Sequence, residues 1–480
     1  MSSVPNSAVD PEYDASTVAE SERMLAGFPW VSAIVLYTLS WGWSLLRPNT
    51  LYWDDLSLDI TNNPKSIWLS REFSGLAPWV RLIEWPLLEI GVWTLTFLTF
   101  LIFFSCGIFV FVIFKKLELT RSFAGSLAVL FLIVPVNHAR ISVTIFDYSF
   151  SYFLFYLGWL VLVYFTSMKS FVFACMILFL SFKTHSFLFF VLLPFLHFAW
   201  LNKIKLFNSK KLNRQHLQIM VIAALPVLYL AARSLFWPPI GEWVSYQRPT
   251  ISGLWRGLTI FIPSLLLLAW YLFGIKKYKK SNNFALLVLG LFVVALGVFP
   301  YFLAELFPSY ISPLSFRIDW GSRHQLLMPL GLAVSVFGLN ELTKHKVNDM
   351  CIRVVLVFST ALNIYFASTY YLDSIKKTEL IQLAESSNSF SDESEVVLVD
   401  DTERFNGRGS NYRDYELNSL FQLAGRNTRV LTGEQTCSDH PKGVQLTLKS
   451  DTPYLQALVT RDLGLYFEIK PCSEVLEQNN

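Results

Sequence analysis

The sequence predicts a polytopic α-helical membrane protein of about eleven spans, followed by a small extracytoplasmic α/β domain. Three observations predict it. The 480-residue chain is 53% hydrophobic and only 16% charged, where a soluble domain carries about 25% charged residues. Apolar runs long enough to cross a bilayer as helices recur along it. From Ser391 onward the composition turns polar, and the pattern changes to short β-like runs separated by turn residues.

Taken in order, the apolar runs place spans near 28–46, 93–114, 122–137, 148–167, 170–182, 186–201, 216–236, 254–274, 284–303, 325–341 and 350–371. The dense basic clusters alternate with the other loops. Lys115–Lys116 with Arg121, Lys169, "NKIKLFNSKKLNR" from Asn202, "KKYKK" from Lys276 and "KHK" from Lys344 all fall on one side if the N-terminus is inside. The opposite side then receives loops 47–92, 138–147, 183–185, 237–253 and 304–324 and the tail from 372, which are aromatic and mixed in charge. The division is therefore a cytoplasmic polar tail 1–27, a transmembrane domain 28–371 and a soluble domain 372–480. In that last domain "EVVLVDD", "TRVLTG", "GVQLTLK" and "LGLYFEI" read as strands and "YELNSLFQLAG" as a helix. No solenoid repeat or heptad pattern is visible, and the polar, acidic first residues do not form a cleavable signal peptide.

The net charge of +3 gives nucleic acid no electrostatic footprint. Cys106, Cys175 and Cys351 sit in apolar segments as packing residues. Cys437 and Cys472, in the polar tail, are a disulfide candidate if that domain is extracytoplasmic.

The outward loops collect the chemistry. "LYWDDLSLDITNNPKSIW" places Asp54 and Asp55, with Asp59, just past the first span. A carboxylate there can act as a general base toward an acceptor hydroxyl; it can also simply cap a short helix. "SIWLSREFSGLAPWVRLIEWPLLEI" reads as an amphipathic segment in the headgroup plane, anchored by Trp68, Trp79 and Trp85. His138, Arg140 and Asp147 share that face with Lys183 and His185. Arg317, Asp319, Arg323 and His324 cluster in "SFRIDWGSRHQLLMPLGL". Arginine's planar fork suits phosphate, although an arginine at a helix end also snorkels. No Walker loop, nucleophile elbow, dinucleotide loop or His/Cys metal cluster is present. A nucleotide donor is thereby disfavoured. A divalent cation such as Mg or Mn, with Asp54, Asp147 or Asp319 as oxygen ligands, stays open as a cofactor, although the spacing gives no evidence for it.

The order of these pieces resembles the polytopic glycosyltransferases of the GT-C fold class, closest to the branch of tetratricopeptide-bearing protein O-mannosyltransferases and their bacterial relatives. "YWDD" followed by "NNPKSIW" resembles that family's aromatic-Asp-Asp element. "KTHSFLFFVLLP", "LYLAAR" ending at Arg233, and "SRHQLLMPLGL" resemble its later elements. The similarity covers roughly residues 28 to 341. It implies an inverting transfer of sugar from a polyprenyl-phosphate donor to an extracytoplasmic acceptor. Asp54 would be the base with Asp55 supporting it or sharing the role, and Arg323 with His324 and Arg317 would neutralise the departing lipid phosphate. Asp147, His138, Arg140, Lys183, His185, Arg233 and Asp319 are then further substrate-binding candidates.

Three departures bear on the acceptor and the site. Thr184 stands where the family often has Glu, His324 where Tyr is usual, and no tetratricopeptide repeats follow. Their lack favours a glycan or glycolipid acceptor, such as a bacterial surface polysaccharide, over a protein. The expected setting is a bacterial inner membrane, with membrane lipid and the polyprenyl-linked sugar as partners. An O-antigen polymerase or ligase, a protein O-glycosyltransferase and a non-enzymatic lipid-linked glycan transporter are the alternatives. The gathering of charge at one membrane face, rather than at the midplane, weighs against the transporter.

Overall fold

The computed structural model describes residues 24–57, 78–117, 121–202, 214–238, 248–274, 282–307, 309, 319–347, 350–386, 395–407, 411–426, 429–431, 437–440 and 442–479. Arg317, Asp59, Trp68 and most residues of the basic loops after Asn202 and Gly274 lie outside them.

The protein is a polytopic membrane protein with a small C-terminal sheet domain. Among the described residues, six helices are long and apolar enough to cross a bilayer: α4 (Val92–Lys115), α6 (Phe146–Tyr164), α10 (Arg214–Phe236), α11 (Ile251–Gly274), α12 (Asn282–Leu303) and α14 (Met350–Ser386). The remaining five expected spans are shorter. They are α1 (Trp30–Trp41), α5 (Arg121–Ile133), α7 (Met168–Ser181), the pair α8 (Phe187–Phe190) and α9 (Leu192–Leu201), and α13 (Met328–Val347) with its apolar part ending at Thr343. Hydropathy counts apolar residues and is blind to where a helix stops. The apolar run after α5 contains Pro135, and α5's 13 residues rise only about 20 Å.

Two short helices complete the N-terminal half: α2 (Asp54–Ser57) and α3 (Pro78–Ile90). α3 is the described part of the expected interfacial segment. Val80 and Leu88 are buried while Leu82 and Ile90 face outward. It turns into α4 at Gly91, whose φ of +144° is a conformation side-chain-bearing residues rarely adopt.

α12 and α13 approach almost backbone to backbone. A Cβ on Gly331 would stand 2.5 Å from the Val294 nitrogen, and Gly290 and Gly338 meet the facing helix as closely. Small residues permit this contact, which is how membrane helices gain packing energy without a hydrophobic driving force. The pair also brackets the 3₁₀ turn Trp320–Gln325 and fixes where Arg323 and His324 sit.

α14 is 37 residues long, about 55 Å, well beyond a hydrocarbon core of about 30 Å. It does not end near Leu372 as expected but runs on to Ser386, carrying the chain into the C-terminal domain. That domain is a four-stranded sheet of β1 (Glu395–Asp400), β2 (Arg429–Leu431), β3 (Val444–Ser450) and β4 (Leu465–Pro471) in the order β2-β1-β3-β4. β1 pairs in parallel with β2 and β3, and β4 is antiparallel to β3. Helices α15 (Asp414–Leu423), α16 (Tyr454–Thr460) and α17 (Cys472–Asn479) complete it. Val396, Val430, Leu446 and Leu448 from the strands pack with Leu417, Leu420 and Phe421 of α15. Cys437 and Cys472 form a disulfide. The end of α14 is built into the domain. Leu372 and Ile375 pack on Phe405, Ala457 and Leu463, while the wholly buried Lys376 pairs with Asp400 at 2.6 Å and with Asn406.

Candidate functional site

A cavity of about 380 Å³ opens where the first loop, the Trp320–Gln325 turn, α14 and α15 meet. It is large enough for a sugar-sized ligand, within the range of small-molecule sites. Tyr52 and Trp53 come from the first loop, Asp319, Arg323 and His324 from the turn, Tyr370, Asp373 and Lys377 from α14, and Asn406, Tyr412, Arg413 and Glu416 from the C-terminal domain.

The two adjacent aspartates have opposite environments. Asp55 is fully buried. Its Oδ1 accepts from the Ser142 hydroxyl at 2.6 Å and the Thr144 N–H at 2.8 Å, and its Oδ2 from the N–H groups of Tyr52 and Val143, both at 3.0 Å. Burial pushes its carboxyl up, and the four donors limit the rise. Asp55 therefore pins the first loop to the 142–144 turn. Asp54, at the start of α2, points the other way: its Oδ1 accepts from the Tyr415 hydroxyl at 3.0 Å. That hydroxyl also receives a 2.8 Å bond from Arg413 Nη1. Successive residues on a helix project about 100° apart, so one aspartate faces the protein and its neighbour faces α15.

Just before them the backbone is strained. Trp53 has φ +50°, a left-handed conformation that is a genuine outlier for a bulky residue and costs about 1–2 kcal/mol. The strain directs the Trp53 ring to the cavity, edge-on to Tyr370 at 5.7 Å.

Arg323 and His324 face this wall. The His324 ring lies 5.1 Å from Tyr301 and 6.1 Å from Phe307. Ser322, just before them, accepts the Ala139 N–H at 2.7 Å, tying the turn to the 138–141 loop. On α14, Asp373 accepts from Tyr412 at 2.6 Å and pairs with Lys377 at 2.8 Å; Lys377 also donates to the Leu51 carbonyl at 3.1 Å. Glu416 closes the α15 side. Burial, foremost, pushes its carboxyl up, against the pull of Lys377.

The remaining expected site residues form two other groups. His138 and Arg140 are packing residues of the core. The Arg140 guanidinium sits 3.1 Å above the Trp41 ring and 4.4 Å from Phe103, and the His138 ring lies between Trp41 and Phe366. Burial, then the neighbouring Arg140, pushes the His138 imidazole down to about 3, so it is neutral. Asp147 is ion-paired with Lys183, and His185 and Arg233 lie near that pair. None of these six lines the cavity.

Asp373, Lys377, Tyr412, Arg413, Tyr415 and Glu416 were not anticipated. A signal was present. From Tyr371 the sequence "YLDSIKKTELIQL" continues helically past the hydropathic end of the span, with Asp373 and Lys377 at i,i+4 and no breaker.

Among the described residues, no group of three or more His, Cys, Asp or Glu is arranged to hold a metal ion. The chain matches no protein-family model and no curated protein.

Proposed function

We propose that the protein is an inverting glycosyltransferase of the GT-C type, with about eleven membrane-crossing or membrane-buried segments in that architecture. It moves a sugar from a polyprenyl-phosphate donor to a glycan or glycolipid on the extracytoplasmic side of a bacterial inner membrane. One observation carries the reading: Trp53 of the first loop and Arg323 and His324 of the late turn, 270 residues apart, line one sugar-sized cavity, with Asp54 next in the chain to Trp53 though not itself a lining residue. The short apolar helices count toward the architecture, since helices that do not cross alone are tolerated where protein surrounds them. The disulfide supports an extracytoplasmic C-terminal domain.

In this mechanism Asp54 takes the proton of the acceptor hydroxyl as its oxygen bonds to the anomeric carbon. The bond from that carbon to the phosphate oxygen breaks on the opposite face, and its electron pair leaves with the phosphate. Arg323 stabilises the charge gathering on the phosphate, and His324 donates beside it. Asp55 acts only through the position of Asp54. Tyr52, Trp53, Tyr370 and Tyr412 offer stacking faces to a sugar ring, with Asn411 and Glu416 as hydrogen-bonding partners for its hydroxyls.

A polymerase or ligase is favoured by the presence of Arg323 and His324 in a late loop. It differs in product: a transferase adds one sugar, the others join whole chains. Cells expressing wild type, Asp54→Asn or Arg323→Ala at equal membrane levels decide by surface-glycan mass. A single hexose-sized increment in wild type only is expected. An increment that persists in both variants sinks the assignment, and joined chains establish the second reading.

A further inference from the structure

We infer that the end of α10, together with the turn between α7 and α8, is a second anion site that holds the phosphate of a lipid arriving from the bilayer. The inference deepens the proposed function and rests on it only for which lipid is the natural occupant.

The site is built from cations and uncommitted polar groups. Arg233 in the last turn of α10 and Lys183 in the 182–186 turn are both close enough to His185 to depress its basicity, after the larger effect of burial, to about 3. His185 is thus neutral and able to donate one hydrogen bond without adding charge. Asp147 pairs with Lys183; no carboxylate pairs with Arg233 among the described residues. Two cations face one carboxylate, leaving a net positive charge at the membrane face, where an anionic headgroup can balance it.

The uncommitted groups point to an occupant independently. Tyr229 is fully buried, and its hydroxyl and the Trp237 indole nitrogen have only each other, in poor alignment, while the hydroxyl of the 4% exposed Thr184 has no hydrogen-bond partner. A buried polar group without a partner costs about 1–3 kcal/mol. Several gathered in one place mean that a partner is missing from the protein rather than that each is an accident. The Tyr229 ring contacts His185 at 6.1 Å and Trp237 at 6.4 Å, and Tyr229 lies one helical turn before Arg233 on α10. A phosphate, with several acceptor oxygens, satisfies such a set. A helix-end arginine drawn to its own carbonyls would explain Arg233 alone, and leaves buried Tyr229 and Thr184 unexplained.

The approach is from lipid. Leu235 and Phe236 on the same turn as Arg233 are 77% and 76% exposed, and Val227 is 67% exposed. α10 therefore presents its flank to the hydrocarbon, while Trp237 and Trp79, in contact at 5.5 Å, mark the headgroup level. Tyr301 stands between this site and the cavity. Its hydroxyl bonds Ser186 at 3.2 Å, next to His185, and its ring lies against His324. A lipid phosphate held here is one side chain away from Arg323.

The test titrates the detergent-solubilised full chain carrying Arg323→Ala, which removes the cavity's own candidate phosphate-binding side chain, and counts bound lipid by native mass spectrometry. The probes are polyprenyl monophosphate, phosphatidylglycerol and inorganic phosphate. One lipid phosphate bound per chain is expected, with Arg233→Ala weakening it roughly tenfold or more. The near-isosteric Tyr229→Phe should weaken it several-fold; it decides the matter if the Arg233 variant folds poorly. Polyprenyl monophosphate binding alone identifies the carrier lipid, binding of both lipids identifies a general headgroup site, and competition by inorganic phosphate shows that the head suffices. Absence of bound lipid, or binding unchanged in both variants, overturns the proposal. No sugar enters the assay, so a failure of glycosyl transfer is a separate result.

Discussion

Asp55→Asn changes one atom and separates the roles of the two aspartates. With the amide nitrogen at Oδ2, the N–H groups of Tyr52 and Val143 would both face a donor. With it at Oδ1, the Ser142 hydroxyl can turn toward Thr144 Oγ1, 2.8 Å away, and only the Thr144 N–H loses its acceptor. The side chain therefore adopts the second orientation, at a cost of about 2 kcal/mol for one unsatisfied buried donor. Asp55→Ala orphans all three backbone N–H groups and costs on the order of 4 kcal/mol after partial relaxation. Thermal unfolding in detergent should rank wild type above Asp55→Asn above Asp55→Ala, while Asp54→Asn melts like wild type. Both Asp55 variants within about 0.5 kcal/mol of wild type, the scatter of a surface change, would refute the pinning role.

Removing the Tyr415 hydroxyl with Tyr415→Phe takes away a hydrogen bond to the Asp54 carboxylate, and kcat should fall roughly tenfold, as for loss of one charge-assisted bond; an unchanged kcat would show that α15 does not position Asp54. Cys437→Ser opens a cross-link between residues 35 apart in sequence and should cost the C-terminal domain about 4 kcal/mol in the chain-entropy account, read as protease sensitivity of the sheet. The acid limit of the same domain follows from Asp400. Burial pushes its carboxyl up, but Lys376 and Thr402 outweigh that and hold it below the usual carboxylate value of 3.8. Its contribution is therefore present above pH 3.8 and lost as pH falls through the lower folded value, so Asp400→Asn should flatten the acid end of the stability profile.

The sequence made the helical membrane class legible because an apolar run of span length seldom occurs in a chain that folds in water. All four strands of the tail were legible for the complementary reason: short alternating or β-branched runs between turn residues have no room to be helices. The count of crossings was less so. A helix break such as that at Pro135 leaves the local hydropathy high, and the window reads through it. In the site, the Asp54–Asp55 pair and the Arg323–His324 pair were visible as charges in apolar surroundings. Their partners were not, because the tail reads as a separate domain once hydropathy falls at Leu372. Helix α14 ignores that boundary and delivers Asp373 and Lys377 to the cavity, and the sheet brings Tyr412 and Glu416 to meet them. The division of labour between Asp54 and Asp55 was also hidden, since only the fold reveals that the 142–144 turn supplies three donors to one of them.

The most direct measurement of the central claim uses the purified full chain, a polyprenyl-phosphate hexose labelled in the sugar, and a glycan acceptor, following label transfer and release of polyprenyl phosphate. Wild type should transfer with inversion at the anomeric carbon, Asp54→Asn should transfer nothing while melting like wild type, and Asp55→Asn should retain activity in proportion to its folded fraction. Transfer undiminished in Asp54→Asn, or abolished only in Asp55→Asn, would contradict the account.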